Sequence, residues 1–165
     1  MADDTSLRIV VNTSPWISLS ICGQINLLES MYKDIYMPEH VGDEIIAGGI
    51  DSVGVKELKT SSWLKIEKVR DKEKVELLYE LDKGEAEVII LAKEQNIRNV
   101  LIDEKIARQQ AKVLGLEVIG TLGLLLKAKN KGLISSIRPS INKILDNGIW
   151  IHDEIVKGIL NEAGE

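Results

Sequence analysis

NVLIDEKIARQQAKVLGLEVIGTLGLLLKAK, residues 99–129, reads as two strand–helix units in succession. NVLI is a short apolar run that stops at Asp103 and gives way to apolar and charged residues at helical spacing. LEVI, at 116–119, is a second such run and stops at Gly120-Thr121 before another helical stretch. Short, continuously apolar strands that pass at once into helices belong to a parallel sheet covered by helices. The chain opens in the same way: in LRIVVNTSPW (7–16) an apolar run ends in Asn12-Thr13-Ser14-Pro15.

Working outward, the pattern predicts strands at 8–11, 34–37, 63–67, 99–102 and 116–119. It predicts helices near 14–21, 24–30, 38–47, 52–59, 72–80, 84–95, 104–113, 121–131, 136–146 and 152–161. Pro38 suits the first turn of its helix. Gly48-Gly49-Ile50-Asp51 reads as a loop, and the charged run 65–74 as a strand end followed by a solvated helix start. The fold class is therefore α/β, layered, with a mainly parallel central sheet.

The 165 residues suit one domain, 1–165. Hydrophobic residues are 44% and charged residues 28%, a balance typical of a globular chain. No apolar run approaches the roughly 20 residues that span a bilayer. MADDTS has no signal-peptide pattern, so the expected setting is cytoplasmic. Cys22 stands alone, cannot form an internal disulfide and reads as a small buried hydrophobe. The net charge of −5 argues against a nucleic-acid coat. It is compatible with an enzyme that meets phosphates through metal ions. Aromatics at 4%, with no Phe, argue against a base-stacking platform.

Ligands of open α/β sheets bind outside the carboxyl ends of the strands. The residues just past those ends are Asn12-Thr13-Ser14, Asp103-Glu104 and Gly120-Thr121, which places them on one rim. Asp103 also suits the cap of the following helix. In LDKGEAEVIILAKEQ (81–95), a helical wheel aligns Glu85 with Val88, Ile89 and Ala92 on the most apolar face. The same wheel sets Glu87 beside Glu94 on the opposite face, as a solvated residue. A capping box from Asp82 to Glu85 explains the spacing but not the inward direction, and an inward carboxylate is costly without a partner. In PEHVGDEII (38–46), Glu44 shares a side with Val41 and Ile45; it is a boundary residue unless the first strand and the Glu85 helix lie nearby.

Asn12, Glu44, Glu85 and Asp103 offer three carboxylates and one amide oxygen. Hard oxygen ligands without His or Cys suit Mg²⁺ or Mn²⁺ rather than zinc. His40 and His152 fall in different helices without ligand spacing and read as surface or structural. There is no glycine-rich phosphate loop and no G-x-S-x-G elbow.

VVNTSPWISLS (10–20), MPEHVGDEI (37–45), LDKGEAEVIILA (81–92), the run from Val100 to Ile134 and the closing helix that begins near IHDEI (151–155) together resemble the PIN-domain superfamily. The similarity is nearest to small prokaryotic PIN-like proteins related to VapC-type toxins, and it covers about residues 8–160. It implies a three-layer α/β/α sandwich and a Mg²⁺- or Mn²⁺-dependent endoribonuclease, with the toxin half of a toxin–antitoxin pair as its biological form. It implies Glu44, Glu85 and Asp103 as catalytic residues and, with Asn12, as metal ligands. Thr13, Ser14, Glu104 and Thr121 are second-rank rim residues, and Lys105 and Arg108 candidate phosphate contacts. It further implies RNA as substrate, an antitoxin protein as partner and a homodimer. GIWIHDEIVKGIL (148–160) offers either an apolar contact for that dimer or packing on its own domain. Asn12 departs from the usual Asp and removes one negative ligand. From that departure comes a second reading: a PIN fold that binds a partner or RNA with little or no cleavage.

Overall fold

A computed structural model describes residues 7–49 and 51–165. The acidic start, 1–6, and Ile50 of the 48–51 loop lie outside the described residues. In chain order the elements are β1 (Arg8–Val11), α1 (Thr13–Ile21), α2 (Leu27–Met31), β2 (Asp34–Pro38), α3 (Glu39–Ala47), α4 (Val55–Thr60), β3 (Leu64–Glu67), α5 (Lys72–Leu77), α6 (Lys83–Glu94), β4 (Asn99–Leu101), α7 (Lys105–Val113), β5 (Glu117–Ile119), α8 (Thr121–Asn130), α9 (Arg138–Asp146) and α10 (Asp153–Glu162).

The five strands form one sheet in the order β3-β2-β1-β4-β5, and every pair is parallel. The architecture is a three-layer α/β/α sandwich. β1 is the middle strand, and Ile9, Val10 and Val11 are fully buried, as a strand covered on both faces requires. From β1 the chain steps outward to β2 and β3, then crosses to β4 and β5 on the other side. β1 and β4 therefore flank the point where strand order reverses, and a crevice opens there at the carboxyl ends. Val11 pairs with Leu101, and the Asn12 amide N–H donates to the Leu101 carbonyl at 3.1 Å, carrying the pairing one step past the end of β1. Among the described residues no helix is long and apolar enough to cross a membrane.

Four local readings change. Asp103 does not cap the helix that follows it: the N-cap residue of α7 is Glu104, and Asp103 turns instead to Thr121 at the start of α8. Pro38 ends β2 in an extended conformation and precedes α3 rather than sitting in its first turn. α5 stops at Leu77, short of 80, and Asp82 takes up an extended conformation to cap α6. Glu87 is not solvated: it is 2% exposed, and Lys72 at the start of α5 approaches it at 3.6 Å. The wheel assumed that α6 keeps one wet face. Instead α6 lies across β1, β2 and β4, is flanked by α3, α5 and α7, and is buried from Gly84 to Ala92. A carboxylate at such a position needs a cation, and Lys72 supplies it.

Trp16 of α1 is fully buried, and its indole N–H donates to the Gly54 carbonyl at 3.0 Å. Gly54 has φ +90°, and a Cβ there would lie 3.1 Å from Trp16 Cδ1. Gly23 has φ +71° with nothing near the same position. Gly23→Ala is expected to lose about 1 kcal/mol of stability, from the left-handed backbone alone. Gly54→Ala should lose about 2–3 kcal/mol, because the methyl group also meets the Trp16 ring. Urea unfolding of the two variants, compared side by side, measures the difference.

Candidate functional site

The rim begins at Asp103. Both of its carboxylate oxygens are held: the Thr121 amide N–H donates to Oδ1 and the Thr121 hydroxyl to Oδ2, each at 2.7 Å. Thr121 opens α8, so the charge of Asp103 faces the positive end of that helix. Two residues before Asp103, Leu101 accepts the Asn12 amide N–H. Asn12 is the N-cap residue of α1, yet its side chain makes no capping hydrogen bond, and the residue is 4% exposed.

Next along the rim, the Thr13 hydroxyl donates to Glu44 Oε2 at 2.9 Å. Glu44 Oε1 lies 2.9 Å from His40 Nε2, one helical turn earlier on α3. It also lies 2.8 Å from where a Cβ of Gly84 would be, so only glycine at 84 admits this carboxylate. Glu44 thereby reaches the start of α6, where Glu85 sits.

Glu85 is 9% exposed and forms a capping box with Asp82: its amide N–H donates to Asp82 Oδ1 at 2.7 Å, and its Oε2 accepts the Asp82 N–H at 3.2 Å. The capping and inward readings of Glu85 therefore hold together. Burial, the charge of Asp82 and, more weakly, that of Glu104 push its carboxyl up from 4.5 to about 7. The influence of Glu104, the residue after Asp103, places Glu85 within electrostatic reach of that segment.

Ser14 and Arg108 border a cleft of about 930 Å³ beside Asp103 and Thr121. Arg108 Nη1 donates to the Ile102 carbonyl at 2.8 Å. Lys105 is exposed at the start of α7 and does not line the cleft. Sequence reasoning missed one participant. His40 stands at i,i+4 from Glu44, a spacing visible in the sequence as soon as Glu44 is weighed as a site residue. His152 lines the cleft and keeps the surface, structural role read from the sequence: its Nδ1 accepts the Glu154 N–H at 3.2 Å and caps α10.

The donor set is all hard oxygen apart from His40, which suits a hard divalent cation in kind. The carboxylates are held apart by separate partners, and among the described residues no group of three or more His, Cys, Asp or Glu side chains converges as a ready cation cage. The raised carboxyl of Glu85 marks the corner where added positive charge would be most stabilising.

Between pH 4.5 and 7 the folded protein keeps a proton on Glu85 that the unfolded chain has released. Stability should therefore fall as pH rises through this window. Glu85→Gln preserves the capping box and removes the titration. It should gain on the order of 1 kcal/mol over wild type at pH 8 and nothing at pH 4, as measured by urea unfolding at the two pH values.

A family model described as PIN domain matches residues 8–165. No curated protein matches the chain.

Proposed function

The chain belongs to the PIN-domain family, whose members are generally nucleases that typically use divalent metals, and on that premise we propose that it is a divalent-metal-dependent endoribonuclease. The observation that carries the reading is the placing of Asn12, Glu44 and Asp103 at the strand-order reversal, with Glu44 bonded to Thr13 and packed against Gly84, the residue before Glu85. Asn12, Glu44, Glu85 and Asp103 are the residues that would hold Mg²⁺ or Mn²⁺, with Glu44, Glu85 and Asp103 catalytic. When bound, the ion acidifies a water and neutralises the scissile phosphate.

The remaining work falls to the chain itself. Thr121 fixes both oxygens of Asp103, so its orientation does not depend on substrate. Thr13 and His40 fix Glu44 from two sides. The Asp82 N–H donates to Glu85 Oε2, which orients the carboxyl and leaves Oε1 as the oxygen that would hold the ion. Arg108, anchored on the Ile102 carbonyl, stands where the RNA backbone would pass, and Lys105 adds only general positive charge. The biological role that goes with this chemistry is a cytoplasmic toxin, restrained by an antitoxin protein and active as a homodimer; it rests on the family resemblance. Asn12 favours a second reading, a PIN fold that binds RNA or a partner and cleaves weakly, because a neutral amide replaces one anionic ligand.

The deciding assay is cleavage of labelled single-stranded RNA in EDTA, Mg²⁺ and Mn²⁺. Metal-dependent cutting by wild type that falls by about 100-fold or more in Glu85→Gln and in Asp103→Asn supports the nuclease. Cutting that appears only in Asn12→Asp supports the weak-binding reading. Gly84→Ala separates site from scaffold. Its methyl group displaces the Glu44 carboxylate, so cleavage should fall by about 10-fold. Thermal stability should hold or rise, by up to about 1 kcal/mol, because alanine favours the helix.

A further inference from the structure

We infer that the cleft beside Asp103 is a nucleotide subsite in which Trp150 stacks on an unpaired base of single-stranded RNA next to the bond to be cut. The inference rests on the nuclease reading for its substrate. It adds a binding site and a specificity residue that the carboxylate rim does not contain.

The cleft of about 930 Å³ falls within the range of built ligand sites, about 300–1,000 Å³. Asp103 and Thr121 form one end of it, and the segment from Ile149 to Ile159 forms the other. Trp150 stands on that segment with 80% of its surface exposed. Its ring stands T-shaped to that of His152, at 5.8 Å between centroids and 75° between planes, so no ring lies stacked in parallel on the indole there. An indole exposed to this degree is costly in water and is the side chain best suited to stack on a base. Arg108, which lines the same cleft, spends one N–H on the Ile102 carbonyl and keeps a planar cation for a phosphate or a base face.

The passage from cleft to rim is kept open by Gly120. A Cβ there would lie 2.7 Å from Arg108 Nη1 and 3.0 Å from Asp103 Oδ1. Elsewhere on the rim, Glu44 packs into the space above Gly84. A nucleotide flanking a phosphate at Asp103 has its room on the Trp150 side. An apolar wall, a stacking face, a guanidinium and an adjoining site for phosphate chemistry together describe single-stranded RNA better than a protein helix, which would need no cation there. The scarcity of aromatics argues against an extended stacking platform; a one-base subsite needs only one indole.

The test is binding of a fluorescein-labelled single-stranded hexaribonucleotide and of its abasic counterpart, in EDTA so that nothing is cut. Fluorescence anisotropy is read together with tryptophan emission. The expected result is that intact RNA quenches the indole and the abasic strand does not. Trp150→Ala should bind about 10-fold more weakly, while Trp150→Phe, which can still stack, stays within about two-fold of wild type and loses the quench. In Mn²⁺, Trp150→Ala should raise KM for RNA with kcat little changed. RNA bound with a quenched indole but never cut would retain the subsite and remove the nuclease reading. Cutting with an unaltered KM in Trp150→Ala would retain the nuclease and overturn the subsite. Equal binding of intact and abasic strands would overturn it too. So would a Trp150→Ala variant that binds RNA normally but changes from dimer to monomer in sedimentation, since the cleft would then be an interface between copies of the chain.

Discussion

The site hangs on one pairing: β1 beside β4, in parallel, across some 90 residues of intervening chain. The pairing runs past the end of β1 through the Asn12 amide and the Leu101 carbonyl, and it brings the residues that follow the two strands to one crevice. α6 lies across β1, β2 and β4 and delivers Glu85 at its own N-terminus to the same end of the sheet. Loss of that pairing would separate Asn12 from Asp103 and leave Glu85 with no opposite wall. Parallel strands cannot be joined by a tight turn, so the geometry of the rim is a product of crossover helices rather than of any local motif.

Three carboxylates at one rim repel each other, and the protein meets this by giving each its own partner. Thr121 holds Asp103, Thr13 and His40 hold Glu44, and the Asp82 N–H holds Glu85. Each side chain is oriented before any substrate or ion arrives, which is the usual condition for a site that acts on charge. Glu85 is the least satisfied of the three, because its helix cap is itself an acid and the site is buried. Elsewhere the same arithmetic is closed by ion pairs, as between Lys72 and the buried Glu87.

The far wall of the cleft has its own anchor. α10 buries no residue fully; it is tied to the body by partly buried Val156, Ile159 and Leu160 and by Glu165 just beyond its end. The Glu165 carboxylate accepts from the amides of Ile137 and Arg138 at the start of α9, from Lys129, and from the Ser136 hydroxyl. These donors hold its carboxyl down, at about 2, so the anchor stays charged across ordinary pH. Trp150 is thus carried on a segment fixed at its distant end rather than on a loose tail.

The sequence by itself determined the elements and the rim. Runs such as RIVV, NVLI and LEVI, each followed at once by a helix, carry the class of a mainly parallel α/β sheet and put Asn12, Asp103 and Thr121 on one rim, because backbone periodicity and the carboxyl-end rule are local properties written along the chain; the strand order itself came with the fold. Glu85 was legible too, since its spacing from Asp82 and its alignment with Val88 and Ile89 both lie within one helix. What crosses between segments came only with the packing: that α6 has no wet face and Glu87 is buried, that Gly84 admits Glu44, and that Trp150 and Arg108 line one cleft. A helical wheel assumes a single buried side, and a contact between distant segments leaves no periodic trace. The environment of a side chain is set by whichever elements pack against it, and that packing is fixed only when the whole sheet closes.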